Sequence, residues 1–326
     1  MSNQQPPTKK IKIFSSESLV NAIPVEIWRD VIGTKLGYFD RSHVNATCKE
    51  FNDTFENYNQ QFLKKHAIHI PQDAPTIEMA MALVRKLQLI PTEKEPLRIV
   101  LDKGVHEIDD WEYVDDEGVD IYRQWLYVHH NHIAFVGKGK DQTTILGGFF
   151  VGDLYGSKRN VTFEDLAITN PVGEGLHLER SETTVDVLKC VVTGMTVRDG
   201  ATVTATQCEF MKNANGVYCA GANTKARLND CTIHHNYEGA GLNAFNRAVV
   251  DLHGTKTDIH SNWNCGILAN WRGKVNIHLP SQHNTTHDNG KQDRNQAYHG
   301  SIANINADGT FTHVWHEDDD HEDDDY

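Results

Sequence analysis

A glycine followed by an apolar–x–apolar triplet recurs five times in the second half of the chain. The copies are Gly175 with Leu176-His177-Leu178, Gly194 with Met195-Thr196-Val197, Gly216 with Val217-Tyr218-Cys219, Gly241 with Leu242-Asn243-Ala244, and Gly266 with Ile267-Leu268-Ala269. The steps between these glycines are 19, 22, 25 and 25 residues. A second unit, apolar–x–apolar–x–x–Cys–x–apolar, falls between them. It reads Val185, Val187, Cys190, Val192; then Val203, Ala205, Cys208, Phe210; then Ala226, Leu228, Cys231, Ile233. A divergent copy starts at Val250 and Leu252 and reaches Ile259. A triplet of this kind sends two side chains inward and one outward. Hairpin and sandwich strands are longer, about five or six residues. The leucine and asparagine pattern of leucine-rich repeats does not occur. The repeat therefore predicts a parallel solenoid whose coils stack about 4.8 Å apart.

Residues 97–315 are predicted to form this solenoid, with room for about nine coils at the repeat length the pattern gives. Glycine at a corner permits backbone conformations that other residues resist. Asn170, Asn213, Asn236, Asn262 and Asn289 mark a turn in nearly every coil. Either their amides stack from coil to coil, or asparagine is simply a good turn former. Cys190, Cys208 and Cys231 share one inward slot and are expected to be a reduced stack of small apolar groups. The arrangement resembles the right-handed parallel β-helix family typified by pectate lyases and by carbohydrate-binding and sugar-hydrolase-type repeats. The fold class this implies is mainly β.

The N-terminal part reads differently. Residues 1–21 form an expected disordered arm, in which Lys9, Lys10 and Lys12 resemble a short nuclear-import signal. Over residues 22–65 the apolar spacing is helical. Pro24 suits a first turn, Ile27, Val31, Ile32 and Leu36 share a face, and Asp40 caps a second run through Val44, Cys48 and Phe51. Residues 66–96 read as a linker with Pro71 and Pro75, then a helix capped by Thr76 and running through Ile90, with Ile77, Met79, Ala80, Leu83, Val84 and Leu87 on one side. Residues 316–326 are an acidic tail expected to be disordered, since eight carboxylates in eleven residues repel one another.

Composition narrows the function classes. Basic residues number 31 and acidic residues 45, a formal charge of −14, which argues against nucleic-acid binding that needs a basic face. No run of about 18 apolar residues suggests a membrane span. The N-terminus lacks the apolar core of a secretory signal, so a cytoplasmic or nuclear protein is expected. Glycosidases need two carboxylates about 5–10 Å apart. Asp165, Asp186, Asp230, Asp251 and Asp258 do not recur at one strand position, so no catalytic residue is assigned. The acid-rich stretch 109–120 does not match a calcium-loop pattern. His130 and His132 fall on one side if the chain there is a strand, but further zinc ligands are not specified. Gly137-Lys138-Gly139 lacks the ending of a phosphate loop. No metal and no cofactor is expected.

The segment Ile23-Pro24-Val25-Glu26-Ile27, with Ile32, Leu36, Asp40 and Val44 and the ending Cys48-Lys49-Glu50-Phe51, resembles an F-box. That resemblance implies a small α-helical module preceding the β-helix, with Ile23, Pro24, Ile27, Val44 and Phe51 contacting a Skp1-like adaptor. It further implies a non-catalytic substrate-recognition subunit of a cullin-type ubiquitin ligase, whose β-helix binds an unknown target protein. The alternative is an intracellular carbohydrate-binding or carbohydrate-active pectin-lyase-like β-helix, the helical N-terminus being an end cap.

Overall fold

The computed structural model describes residues 67–86, 89–108, 111–114, 120–152, 157–278 and 286–315. The disordered arm, the lysine cluster, the F-box-like segment and the acidic tail expected from the sequence lie outside the described residues. Among those described, the chain winds as a parallel β-helix. Each coil contributes one strand to each of three sheets. The first sheet has eleven strands, and the second and third have eight each. One representative coil runs Thr183–Leu188, Val191–Val192, Met195–Arg198. The next runs Thr202–Thr206, Glu209–Met211, Val217–Ala220 and pairs with it in parallel in all three sheets.

Eight coils are completed where about nine were expected, for two reasons visible in the path. The first coil is lengthened by an antiparallel hairpin, Trp111–Val114 with Asp120–Arg123, inserted before the third-sheet strand Trp125–Val128. At the far end, Phe311–Trp315 folds back antiparallel on Ser301–Ile305 instead of starting another coil. The solenoid also begins earlier than Leu97. Ile68–Ile70, read as linker because Pro71 follows it, forms a three-residue strand paired to Ile99–Leu101. Its alternating Ile-His-Ile fills the core slot, with Ile68 and Ile70 wholly buried.

Helix α1, Ile77–Lys86, covers this end of the solenoid. Thr76 caps it by accepting a hydrogen bond from the Met79 amide at 3.3 Å. Ile77, Ala80, Met81, Leu83 and Val84 join the solenoid core, whereas Met79 is 42% exposed. The sequence reading placed Met79 on the inner face. The helical step of three to four from Ile77 in fact selects Ala80 and Met81. No helix among the described residues is long and apolar enough to cross a membrane.

The inward residues of both repeat units form one continuous core. It is wide and aromatic near the start, where Phe135, Phe149 and Phe163 pack with ring centroids 4.9–5.3 Å apart. Further along it narrows to Val203, Ala205, Cys208, Cys219 and Ala244, all buried. Cys190, Cys208, Cys219, Cys231 and Cys265 are free thiols. Burial pushes the Cys190 and Cys219 thiols up to about 12, so they behave as small apolar groups.

The corners depart from the expected role of glycine. Between the first and second sheets the chain turns on a single left-handed residue that is not glycine in four coils: Asp165, Lys189, Gln207 and Asp230. Lys212, His235, Ser261 and Asp288 turn the chain into the next corner in the same way. The repeat glycines are required mainly by space. A Cβ on Gly266 would sit 2.5 Å from Asn289 Nδ2 and 2.7 Å from the Asp293 carbonyl; one on Gly241 would sit 2.5 Å from Asn262 Nδ2. Only Gly194 among the five also has a left-handed backbone, φ +61°.

What crowds these glycines is an asparagine ladder. Asn262 Nδ2 donates to Asn289 Oδ1 at 2.9 Å, and Asn236 Nδ2 donates to Asn262 Oδ1 at 2.8 Å. The Asn213, Asn236 and Asn262 backbone amides donate to the side-chain oxygen of the next rung, at 3.1–3.3 Å. Asn170 stays outside the ladder and bonds within its own corner, to Glu174 O and the Val172 amide. Gly266→Ala should therefore displace a rung, at a cost of about 1–3 kcal/mol. A thermal melt should show a drop of roughly 5 °C for a solenoid of this size. An unchanged melting temperature would mean that the corner is looser than these contacts require.

Candidate recognition face

Outward positions of stacked coils form rows along the solenoid axis, because parallel pairing in register repeats each position about 4.8 Å further on. The third sheet carries the most chemically varied rows. One runs Phe150, His177, Thr196, Tyr218, Asn243, Leu268, Asn295. Its neighbour runs Glu179, Arg198, Ala220, Phe245, Asn270, Ala297.

At the end nearer the N-terminal cap, His177 lies between two carboxylates. Its Nδ1 is 2.6 Å from Glu174 Oε1 and its Nε2 is 3.0 Å from Glu179 Oε1. The imidazole stacks on Phe150 at 5.1 Å and 11° and packs against Trp125 at 4.9 Å. Tyr127 extends this aromatic surface outward, packing on Phe150 at 5.0 Å while 40% exposed. Arg198 Nε approaches Glu179 at 3.8 Å. Burial pushes the Glu174 carboxyl up, but the hydrogen bond from His177 and its charge outweigh this and hold it below its usual value. A neutral imidazole donates from one ring nitrogen only, so the ring donates to both carboxylates together only in its doubly protonated form.

Midway along, the third sheet holds two buried amide oxygens, Asn243 Oδ1 and Asn270 Oδ1, with no hydrogen-bond partner among the described residues. They lie in the two adjacent rows, beside Tyr218 and Phe245, whose rings are 6.3 Å apart. The aromatic rings on this face can stack on a ligand laid along the axis, whereas the two amide oxygens are closed off from it.

The second sheet carries a column of three imidazoles. His234 and His260 stack at 5.1 Å, and His260 and His287 at 5.2 Å. Glu209 accepts from His234 Nε2 at 2.8 Å, and Asp258 pairs with His287 Nε2 at 3.0 Å. Burial and the neighbouring imidazoles lower the proton affinity of His260, against the pull of Asp258. The hydrogen bond that His287 donates to the Asp288 carboxylate raises that of His287. Among the described residues no group of three or more His, Cys, Asp or Glu is placed to hold a metal ion.

The residues assigned to adaptor binding from the sequence, Ile23, Pro24, Ile27, Val44 and Phe51, lie outside the described residues. His130 and His132 do not share a strand face as the alternation suggested. They sit between the strands Trp125–Val128 and Ile133–Val136, and His132 has a left-handed φ of 53°, so the two-residue period does not apply there. Of the scattered aspartates, Asp165 and Asp230 are corner residues with left-handed backbones, and Asp251 accepts from His278 Nε2 at 3.0 Å and Asn276 Nδ2 at 2.9 Å.

The trio Glu174, His177 and Glu179 was missed by the sequence reading, which compared aspartates only. The signal was present in Glu174-Gly-Leu-His177-Leu-Glu179, where alternation places His177 and Glu179 outward on one strand.

The model of the family described as right handed beta helix region matches residues 118–289, more than half of the chain. No curated relative matches the sequence. A solved structure titled ORF18, from Geobacillus virus E2, is similar at 9% identity with a TM-score of 0.43. The similarity covers 76% of this chain and 63% of that one.

Proposed function

The chain belongs to the right-handed β-helix family, and from that premise we propose that it is a non-catalytic recognition protein: a substrate-recognition subunit of a cullin-type ubiquitin ligase. In this reading residues 22–65 dock a Skp1-like adaptor through Ile23, Pro24, Ile27, Val44 and Phe51, and the β-helix holds a target protein. The observation that carries the non-catalytic part is the fate of the third-sheet carboxylates. Glu174 and Glu179 are brought together, yet the His177 ring stands between them, its nitrogens 2.6 and 3.0 Å from their oxygens. A glycosidase pair needs one carboxyl free to protonate a leaving group and another free to attack or activate water. The ligase part rests on the F-box-like spacing of residues 23–51. The mechanism is proximity: one end attaches to the ligase and the long face holds the target, raising its local concentration.

A second reading, a carbohydrate-binding β-helix, is favoured by one observation, the aromatic surface of Tyr127 and Phe150, backed by the buried Trp125, beside the acidic trio. Such a surface can stack on apolar faces of a ligand. The two readings separate in solution. Size-exclusion chromatography of the full chain with purified Skp1-like adaptor should give a single co-eluting complex. Separate elution, together with turnover or retention of pectin-type glycans with or without Ca²⁺, would favour the second reading instead.

A further inference from the structure

The corner from the third sheet back to the first repeats position for position over three coils. It is a pair of consecutive left-handed residues without glycine: Asn246-Arg247, Trp271-Arg272 and Tyr298-His299. Backbone hydrogen bonds hold these copies in step. The Arg247 amide donates to the Trp271 carbonyl at 3.1 Å, and the Arg272 amide to the Tyr298 carbonyl at 3.0 Å. Like positions therefore form columns with a step of about 4.8 Å. One column is Asn246, Trp271 and Tyr298, and the other is Arg247, Arg272 and His299.

The charge of this corner opposes that of the chain. Residues 218–226, 243–250, 268–275 and 295–302 enter and leave it in four coils. They contain Lys225, Arg247, Arg272 and Lys274 and no aspartate or glutamate, in a chain with 45 acidic residues against 31 basic. All four cations are exposed, and none makes an ion pair among the described residues. Asp251, next along the strand from Val250, already accepts from Asn276 Nδ2 and pairs with His278 Nε2.

An aromatic stair runs beside the cations. Tyr218, Phe245, Trp271 and Tyr298 follow one another from coil to coil, with ring centroids 6.3, 6.4 and 5.0 Å apart. Trp271 is 53% and Tyr298 62% exposed. These two rings stack on each other, so their faces are turned along the axis and their edges toward solvent. Ring edges carry the positive end of the aromatic quadrupole and favour an anion, as the guanidinium groups do. A sugar or a nucleobase stacks on a ring face instead, and each of these rings gives one face to the other.

Length narrows the ligand further. Four coils span about 14 Å, which about four extended residues cover. A longer polyanion runs off the stripe onto a chain of formal charge −14 that repels it.

We propose that this corner binds a short acidic segment of a partner protein in extended form. Its carboxylates lie on Arg247, Arg272 and Lys274, and its apolar side chains on Trp271 and Tyr298. Binding here rests on the target-holding role proposed for the β-helix and is independent of adaptor docking, so each can fail without the other.

The test is fluorescence anisotropy of a short fluorescein-labelled peptide, glutamates flanking one phenylalanine, titrated with the full chain and no adaptor. Saturable binding is expected, and none by the same peptide with glutamine in place of every glutamate. Arg247→Gln/Arg272→Gln should weaken binding about tenfold, the size expected for two exposed charge pairs, with circular dichroism unchanged. Lys274→Gln, on a regular strand, leaves the left-handed corner intact and should cost about threefold. Raising the salt from about 0.05 to 0.5 M should weaken the parent's binding as well, since the Debye length falls severalfold. Absence of saturable binding overturns the proposal, and so does binding that these substitutions leave unchanged. Tighter binding of oligothymidylate or of polygalacturonate than of the peptide also overturns it, and makes the stripe a nucleic-acid or a glycan surface.

Discussion

Val217→Asp should abolish cooperative folding of the solenoid at physiological temperature or lower its melting temperature by at least roughly 10 °C. Val217 is wholly buried, at the start of a third-sheet strand paired on one side to Met195 and on the other to Leu242. Both neighbours are wholly or almost wholly buried, so a carboxylate there would face apolar side chains in either direction. An unpaired charge in such a place costs about 3–5 kcal/mol. The carboxyl would be driven to protonate, so the variant should recover part of its stability at acid pH. In a solenoid each coil contacts only its neighbours, so damage at one coil is damage to the whole stack when the stack is cooperative. The melt followed by circular dichroism reads this directly. A variant as heat-stable as the parent would show that residue 217 does not face the core.

Asn262→Ala should be nearly as damaging although it removes only one amide. Asn262 Nδ2 donates to Asn289 Oδ1 at 2.9 Å and to the Ile233 and His260 carbonyls, each at 3.1 Å. Its Oδ1 accepts from Asn236 Nδ2 at 2.8 Å and from the Asn236 backbone amide at 3.3 Å. Asn262 and Asn236 are each 1% exposed, so water cannot replace what is lost. Each buried polar group left without a partner costs about 1–3 kcal/mol, and the losses in one network are not additive. A total on the order of 4 kcal/mol follows for this rung. Asn170→Ala, outside the ladder and bonded only within its own corner, should cost distinctly less. Equal effects at the two sites, measured by chemical denaturation, would show that stacking between coils contributes nothing beyond the local turn.

The strands of the regular coils were legible because each inward position repeats in register and must be apolar. The triplets after Gly175, Gly216 and Gly241 are third-sheet strands, and the Cys190, Cys208 and Cys231 slot is one buried column. The asparagine ladder was legible as one of two alternatives, and the hydrogen bonds between rungs decide for stacking. Corner conformation was not legible. Lys189, Gln207 and Asp230 occupy left-handed positions that residue type alone would give to glycine, held there by pairing on both sides. The first strand, Ile68–Ile70, was hidden by its three-residue length and the following proline. Phe311–Trp315 falls in the stretch expected to start another coil, and a residue period carries no information on strand direction. In the Glu174–His177–Glu179 trio alternation encodes His177 and Glu179 on one outward face, while the contact to the corner residue Glu174 is encoded by neither the strand period nor the repeat length.

Attachment of this β-helix to a ubiquitin ligase through its N-terminal segment is the function we propose. Calorimetric titration of the full chain with purified Skp1-like adaptor tests it most directly, run beside the double variant Pro24→Ala/Ile27→Ala. The account predicts saturable binding by the parent and none by the variant, with the β-sheet circular dichroism and melting temperature of the two chains the same. An N-terminus that serves only as an end cap gives the opposite pair, no heat of binding from the parent and a destabilised solenoid in the variant, and that result would contradict the account.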